Sequence, residues 1–341
     1  MSYDKTTWNN NDIIRTASMN KIENGISAND IIIQELVTNY SLLATKEELD
    51  DYATKEYLTD YVTKEELVES GIEVETLPKS SYEGKTLSIL GDSISTFNGY
   101  IPSGYTAHYP RAVPAENDVQ LVSDTWWWKL MDALGMVLEV NNSYSGTRVT
   151  TTFTNSQSFI INTQEKANNF AGCMSRSTNL HASNASQPDV IIIWMGINDF
   201  NNEIPLGTYD GTTPLPSITP ETTITFREAY AIMLNNILTT YPYAEVWVCT
   251  LSVCEKNGGT GFPEVNGNNV ALSDYNKAIE ELARAFGVKV LDHYRAGITY
   301  QNRSNFLTDD LHLNKYGHSI IANNDIRQID NKAYTRYPIK E

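Results

Sequence analysis

Residues 86–95 read TLSILGDSIS, and this stretch decides the fold. Its first part, residues 86–90, is an almost continuous apolar run, which is typical of a strand buried on both faces of a parallel sheet. The run ends in Gly91-Asp92-Ser93, so Ser93 is expected at the carboxyl edge of the sheet, where open α/β folds build their sites. A serine beside glycine and aspartate more often caps a helix or forms a turn, and the tripeptide alone is therefore a weak indication of a nucleophile.

The residues that follow alternate between strand and helix patterns. Further β-rich apolar runs predict strands at 137–141, 190–195, 245–251 and 288–291. Helical spacing predicts helices at 126–134, 226–238 and 275–286. The economical arrangement is a parallel sheet with crossover helices on both faces, which places the chain in the α/β class. Two long loops, at 201–220 and 255–269, interrupt the alternation, and loops of that length in a compact domain are usually functional or disordered.

The composition narrows the range of partners. Asp and Glu number 42 against 25 Lys and Arg, and the resulting net charge of -17 repels a nucleic-acid backbone and anionic lipid alike. We therefore expect neither nucleic acid nor a membrane surface as a partner. The three cysteines, Cys173, Cys249 and Cys254, are too few for a disulfide framework, and we expect them to be buried thiols.

The hydropathy of the chain bears on where it is made. Residues 1–11 are polar and lack the apolar core of a signal peptide. No stretch approaches the roughly 18 apolar residues that a membrane span requires. We expect synthesis in the cytoplasm without a signal peptide.

A heptad pattern runs through residues 19–43. Positions spaced alternately by three and four are apolar or aromatic except for one asparagine, and they are Met19, Ile22, Ile26, Asn29, Ile33, Leu36, Tyr40 and Leu43. This seam is typical of a short coiled coil, in which a buried polar residue such as Asn29 fixes register and strand number. The alternative is a single amphipathic helix packed on its own domain. We favour self-association.

A repeat of nine residues follows, in the units 44–52 (ATKEELDDY), 53–61 (ATKEYLTDY) and 62–70 (VTKEELVES). The second residue of each unit is a threonine that can cap a helix, and Glu48 and Glu66 complete capping boxes in two of them. Such short, charged units cannot hold a core alone, so they predict helical turns or a spacer stalk that leans on a neighbour.

A second polar segment, residues 308–314 (TDDLHLN), strengthens the interpretation of Ser93 as a nucleophile. Asp309 and His312 are three residues apart, so the carboxylate can hold the imidazole in one tautomer while the ring takes the hydroxyl proton. Asp310 competes for this role, but its proximity in sequence to His312 makes a productive geometry harder. The histidines at 293 and 318 are at least as well explained as surface or hydrogen-bonded structural residues, and we rank His312 ahead of them.

A serine hydrolase also needs donors aimed at the developing oxyanion. Gly146 lies in the segment 142–147 after the second predicted strand, where a glycine exposes a backbone amide. Asn198 follows the third predicted strand and would project from the same edge as Ser93. Each segment is also explained as a strand-ending turn, but their joint placement favours a shared site.

The residues Ser93, Gly146, Asn198 and His312 resemble, in order and in blocks, the four that name the SGNH or GDSL hydrolases. The likeness covers residues 83–341, with GDSIS at the first block in place of GDSL. It implies a flavodoxin-like three-layer α/β/α domain and ester hydrolysis without a metal or other cofactor. Carried over by position, it implies Ser93 as nucleophile, His312 as general base and Asp309 as its orienting acid. The implied oxyanion hole is the backbone amides of Ser93 and Gly146 with the side chain of Asn198.

The N-terminal residues, around Trp8, 12–14 and 20–26, resemble the start of phage tail and baseplate appendage proteins. That resemblance implies attachment to a virion, a trimeric coiled coil and a location outside the host after lysis. It divides the chain into an attachment segment with coiled coil at 1–43, a repeat stalk at 44–82 and a hydrolase domain at 83–341.

Such an attachment would present the enzyme to a bacterial surface, and the two resemblances together imply removal of O-acetyl groups from glycans. The sequence around Ser93 has no apolar lid of the kind a lipase usually needs, which favours a small acyl group. Two alternatives stay open: a lipid esterase or thioesterase, and a glycan-binding adhesion module without turnover.

Overall fold

The computed structural model describes residues 80–151, 171–183, 186–254, 262–331 and 337–340. The chain divides into the units Met1–Leu77 and Pro78–Glu341, and every described residue belongs to the second. The predicted coiled coil at 19–43 and nearly all of the predicted stalk at 44–82 lie outside the described residues, as do residues 255–261 of the second long loop. These features and the predicted domain boundaries stay predictions. In the part of the chain that is described, no helix is long and apolar enough to cross a membrane.

The centre of the fold is a sheet of five parallel strands. The strands are β1 (Thr86–Gly91), β2 (Val137–Ser143), β3 (Val190–Trp194), β4 (Glu245–Cys249) and β5 (Lys289–Leu291). Their spatial order is β2-β1-β3-β4-β5. This is the flavodoxin-like order, which reverses direction between β1 and β3 and opens a crevice at their carboxyl ends.

The described residues form six α-helices: α1 (Trp126–Leu134), α2 (Ile197–Asn201), α3 (Pro220–Thr223), α4 (Phe226–Thr240), α5 (Leu272–Phe286) and α6 (Lys315–Ile329). Short 3-10 turns occur at Ser93–Ser95, Pro114–Glu116, Val122–Asp124, Ser175–Thr178 and Arg303–Asn305. Helix α1 packs against α6, and α4 packs against α5, so the helices form the outer layers of a three-layer α/β/α domain. The predicted fold class is confirmed.

The ends of the helices follow local capping chemistry. Helix α1 begins where Thr125 accepts a hydrogen bond from the Trp128 N–H, and it ends at Gly135, whose φ of 68° is the left-handed conformation that glycine adopts without strain. Helix α6 begins where the Asn314 side chain accepts from two backbone N–H groups of the first turn. Its helical pattern is hidden in the sequence because His318, Asp325 and other polar residues are buried within it.

The core is apolar and rich in aromatic rings. Trp126 and Trp127 are fully buried, so the tryptophan run that begins α1 belongs largely to the core. Cys173, Cys249 and Cys254 are buried and free, as predicted. The central strand β3 is buried along its whole length, which explains its continuous apolar sequence.

Gly91 ends β1 in a position with no room for a side chain. A Cβ atom there would lie 2.6 Å from Ser143 Oγ and 2.7 Å from Ser95 Cβ. The absence of a side chain at Gly91 therefore lets the end of β2 and the turn that carries Ser93 pack directly against the backbone of β1.

We expect Gly91→Ala to destabilise the protein by about 1–3 kcal/mol, the usual effect of overpacking a closed site. The measurement is the free energy of unfolding in urea of the variant and the wild type. An unchanged unfolding midpoint would show that the strand ends can separate without penalty.

Candidate active site

Three loops that follow neighbouring strands meet at the carboxyl edge of the sheet. Gly91 at the end of β1 is paired in register with Ser143 of β2 and with Trp194 of β3. The three strands therefore end at one level. Ser93 lies two residues past this level, and Asn198 lies in α2, which begins shortly after β3.

The Ser93 side chain contacts His312, which lies near the other end of the sequence. His312 Nε2 lies 2.8 Å from Ser93 Oγ, although the residues are 219 positions apart. His312 Nδ1 lies 2.8 Å from Asp309 Oδ2. The structure thus joins the serine, imidazole and carboxylate that the sequence singled out into one hydrogen-bonded chain.

A tight turn holds Asp309 in place. Its Oδ1 accepts hydrogen bonds from the backbone N–H groups of Leu311 at 2.8 Å and His312 at 2.6 Å. The Thr308 N–H donates to the His312 carbonyl oxygen at 2.9 Å and closes the turn. The spacing of three residues therefore lets one carboxylate hold both the backbone and the ring of His312, which explains why Asp309 meets the imidazole.

The same contacts keep Asp309 ionised. Partial burial raises the pKa of the carboxyl, but the hydrogen bond and charge of His312, together with the two backbone N–H groups, lower it further. The net result is a pKa well below the usual range for aspartate. Asp309 is therefore a carboxylate throughout the neutral range.

The histidines that competed with His312 in the sequence are structural. His293 is fully buried, and its Nε2 lies 2.9 Å from Asp325 Oδ1. His318 is also fully buried and accepts a hydrogen bond from the Trp126 N–H. The hydrogen-bonded interpretation of both residues is confirmed, and the surface interpretation is wrong.

Gly146 and Asn198 are brought together through Thr147. The Asn198 side-chain amide donates to the Thr147 carbonyl oxygen at 2.9 Å. Gly146 has a φ of 76°, and an added Cβ would meet no atom within 4 Å, so there is open space on the Cβ side of this residue. Among the described residues, the backbone N–H groups of Ser93 and Gly146 donate to no protein acceptor.

The sequence agrees with this geometry. The sequence profile of the family described as GDSL-like Lipase/Acylhydrolase matches residues 85–265, which is more than half of the chain. The chain belongs to this family. The match includes Ser93, Gly146 and Asn198, while Asp309 and His312 lie beyond it and are placed by the structure.

Solved structures are similar to the chain over most of its length. A protein described as a GDSL-like lipase from Bacteroides uniformis is 25% identical, with a TM-score of 0.52 over 73% of this chain and 96% of that one. One described in the same way from Bacteroides ovatus is 24% identical, with a TM-score of 0.53 over 73% and 99%. A protein from Lactobacillus plantarum is 22% identical, with a TM-score of 0.52 over 73% and 98%. No curated protein sequence matches the chain. The solved structures support the same three-layer fold.

Asp199, which follows Asn198 in the sequence, is a buried anchor of this GDSL-family site. Its Oδ2 accepts from the Val149 N–H at 2.9 Å, and its Oδ1 accepts from the Thr150 N–H at 3.1 Å and the Thr150 hydroxyl at 2.7 Å. Asp199 therefore ties the start of α2 to the segment behind Gly146. The position of Asp199 beside Asn198 does not show this role, which only the fold reveals.

Arg176 is a second buried anchor, and no sequence pattern pointed to it. Its guanidinium donates to the Gly91 carbonyl oxygen at 2.8 Å, to the Asn142 carbonyl oxygen at 2.6 Å and to Thr147 Oγ1 at 2.9 Å. These bonds connect the ends of β1 and β2 with the turn that carries Gly146.

The charge of Arg176 persists although the side chain is almost completely buried. Burial lowers its pKa to about 10, which still leaves the guanidinium charged at neutral pH. In the described part of the chain, no carboxylate oxygen lies within 4.0 Å of it. A buried positive charge beneath the Gly146 turn favours negative charge that develops above that turn.

One side-chain cluster has the composition of a metal site but not its geometry. The ligand atoms of His108, Asp309 and His312 lie within 4.8 Å of one another. The two imidazole rings are stacked in parallel, with centroids 3.5 Å apart and planes 9° apart. Their nitrogen lone pairs lie in the ring planes and point in parallel planes, so they do not converge on one ion.

Asp92 caps the turn that carries Ser93. Its Oδ1 accepts from the Ile94 N–H at 3.1 Å, while its buried Oδ2 has no hydrogen-bond partner among the described residues. Burial raises the pKa of this carboxyl to about 7, although the Ile94 N–H and the charges of His312 and Arg176 act in the opposite direction. Asp92 is thus a buried acid that titrates near neutral pH.

We expect Asp92→Asn to change how stability depends on pH. The folded protein holds the Asp92 proton up to about pH 7, whereas the unfolded chain releases it near the ordinary value of 3.8. The contribution of Asp92 to stability is therefore present below about pH 4 and is lost as the pH rises through 7. The free energy of unfolding of D92N, relative to wild type, should rise between pH 4 and pH 8 by at most about 4 kcal/mol.

Urea unfolding at both pH values measures this difference. Glu280→Gln, which removes an exposed carboxylate from α5, is the control. If the D92N difference is the same at pH 4 and pH 8, Asp92 does not titrate differently in the folded and unfolded states.

Proposed function

We propose that the chain is a serine ester hydrolase in which Ser93 is the nucleophile, His312 the general base and Asp309 the acid that orients the imidazole. The observation that carries this proposal is the pair of 2.8 Å contacts that His312 makes, one to Ser93 Oγ and one to Asp309 Oδ2. A general base must lie within hydrogen-bond reach of the proton it removes, and a third group must fix its tautomer. Both requirements are met.

The proposed reaction has two steps. As Ser93 Oγ attacks the ester carbonyl carbon, His312 Nε2 takes the hydroxyl proton, and the carbonyl electrons move onto oxygen. His312 then donates that proton to the departing alcohol, which leaves an acyl group on Ser93. A water molecule, deprotonated by His312, attacks the acyl carbon, and Ser93 leaves with the returned proton as the acid is released.

The oxyanion of each step would be held by three donors. These are the backbone N–H groups of Ser93 and Gly146 and the side-chain amide of Asn198, whose second hydrogen is not needed for its bond to Thr147. The anchors described above support this role. Asp199 and Arg176 fix the two turns, and the positive charge of Arg176 favours the oxyanion electrostatically.

We propose an O-acetyl group on carbohydrate as the substrate class. Tyr105 and Tyr144 are stacked with ring centroids 4.4 Å apart, beside the turn that carries Gly146, and both are partly exposed. Partly exposed tyrosine rings suit contact with the faces of sugar rings. The absence of an apolar lid in the sequence around Ser93 supports a small acyl group rather than a lipid chain.

We expect the wild type to release acetate from acetylated glycans and from p-nitrophenyl acetate. Ser93→Ala and His312→Ala should each lower kcat at least about a thousandfold, because each removes a group that acts only as part of the triad. Asp310→Asn is the matched control for Asp309→Asn. Only the change at 309 should impair turnover, since it is the Asp309 carboxylate that holds the His312 ring.

The same assay separates the alternatives. A lipid esterase or thioesterase would prefer long acyl chains in a series of p-nitrophenyl esters, whereas the proposal predicts that kcat/KM is highest for acetate. An adhesion module would bind acetylated glycan without releasing acetate from any member of the panel. Either result would contradict the proposed reaction.

We further propose that residues 19–43 form a trimeric coiled coil and that the N-terminal region attaches the enzyme to a larger assembly such as a phage tail, after which it acts outside the cell. This proposal is supported by the heptad seam and by the nine-residue repeat of the sequence. In a trimer, three esterase domains would meet one glycan surface together, which raises apparent affinity without new contacts.

Mass measurement in solution tests the self-association. We expect the full chain to have about three times its monomer mass, and the chain without residues 1–82 to be a monomer. The two variants Ile22→Asp and Ile33→Asp place charges in the seam and should dissociate the full chain. A monomeric full chain would contradict the coiled coil without touching the proposed esterase chemistry.

A further inference from the structure

A second imidazole lies against the face of His312. The rings of His108 and His312 are nearly parallel, with centroids 3.5 Å apart and planes 9° apart. His108 makes no part of the triad, and its position in the sequence, between Ala107 and Tyr109, belongs to no motif of the site. Its contact with the proposed general base is nevertheless the closest ring contact that His312 makes in the described structure.

The backbone that carries the His108 ring is held by contacts to two segments of the site. The backbone N–H of His108 donates to the Oγ1 of Thr96 at 2.8 Å, and Thr96 lies three residues past Ser93. The neighbouring Tyr109 is fully buried, and its hydroxyl donates to the Leu313 carbonyl oxygen at 3.0 Å, one residue past His312. The backbone that carries His108 is thus bound to both the segment of the nucleophile and the segment of the base.

We propose that His108 is a positioning residue, which holds the His312 ring in the plane that joins Ser93 to Asp309 and stabilises the imidazolium by presenting the face of a neutral ring. This inference rests on the proposed esterase function. It assigns to the loop after Ser93 the restraint of the His312 ring plane, which the hydrogen bonds of the triad do not provide alone.

The need for such a contact follows from the geometry of the triad. In the described structure, the His312 ring makes hydrogen bonds at Nε2 and Nδ1, and these two bonds restrain the edge of the ring more than rotation about the line between the two nitrogens. A parallel ring at 3.5 Å blocks that rotation on one side. Proton transfer to and from Nε2 depends on the ring plane, so this restraint acts on the chemical step.

Whether the stacked ring stabilises the His312 imidazolium depends on the charge of His108. A cation on His312 is attracted to the face of a neutral aromatic ring but repelled by a second cation. Burial and the charge of His312 lower the pKa of His108 to about 3, with Asp309 acting against them and Arg111 acting with them. His318, which also faces this cluster, is buried with its pKa well below the ordinary value, so it adds no positive charge. His108 is therefore neutral whenever His312 is protonated during turnover.

The test replaces His108 in the full chain by residues that differ in one property. Phe keeps a planar aromatic ring without a titratable group, and Leu keeps apolar bulk without a ring. With p-nitrophenyl acetate, we expect H108F to retain kcat within about threefold of the wild type. H108L should lose about tenfold in kcat, which corresponds to about 1.4 kcal/mol in the barrier, with KM changed less than about twofold.

The controls separate positioning from folding. Thermal unfolding of both variants should give similar midpoints, so that a loss of kcat in H108L alone reflects the missing ring. His181→Phe and His181→Leu provide matched changes at a half-buried histidine whose Nδ1 contacts the Tyr241 hydroxyl, and both should keep the wild-type kcat. The acid limb of kcat/KM should be the same in H108F and wild type, because a neutral His108 contributes no ionisation there.

A second readout does not depend on turnover. The proton in the hydrogen bond between His312 Nδ1 and Asp309 should give a low-field NMR resonance, which we expect in the wild type and H108F and expect to be lost by exchange in H108L. Equal kcat values for H108L and H108F, or persistence of the resonance in H108L, would overturn the inference. A wild type that hydrolyses no ester but shows the expected pattern of resonances would overturn the proposed function while leaving the positioning role in place.

Discussion

The parallel register of the three central strands is the constraint on which the site depends. Gly91 of β1 pairs with Ser143 of β2 and with Trp194 of β3, so the three strands end at one level. A shift of one residue in either pairing would turn every following side chain to the other face of the sheet. The turns that carry Ser93, Gly146 and Asn198 inherit their separation from this register. Glycine at 91 is required because the strand ends approach too closely for a Cβ atom.

Buried polar groups convert that register into a fixed site. Arg176 and Asp199 are each almost completely buried, and both bond to the backbone of the loops rather than to one another. A buried charge is tolerated only when its hydrogen-bonding capacity is used. Any movement of the Gly146 turn would leave a guanidinium or a carboxylate without partners in a nonpolar interior. The loss of these hydrogen bonds would cost free energy, and this cost holds the loops in place. Oxyanion stabilisation needs such preorganisation.

The elements that could be predicted from the sequence are those that a local residue pattern encodes. Apolar runs gave the five strands within a few residues, because strands buried on both faces have little other composition. The helix predicted at 126–134 coincides with α1, whereas α4 extends two residues beyond its predicted end and α5 begins three residues before its predicted start. Helix α6 was missed because buried polar residues interrupt its apolar face. Ser93 was singled out because it follows a predicted strand, and Asp309 and His312 because they are close in sequence. Arg176 and His108 could not be found in this way, since their contacts join segments that only the folded chain brings together.

The bond from the Tyr109 hydroxyl to the Leu313 carbonyl oxygen bears on which esters the proposed site would accept. It joins the loop that follows Ser93 to the segment that carries His312, so a displacement of one segment is transmitted to the other. A bulky ester that pushed this loop outward would pull the imidazole away from the serine hydroxyl in the same motion. In the proposed esterase, an ester too bulky for this loop would therefore fail to react even where it could enter the site.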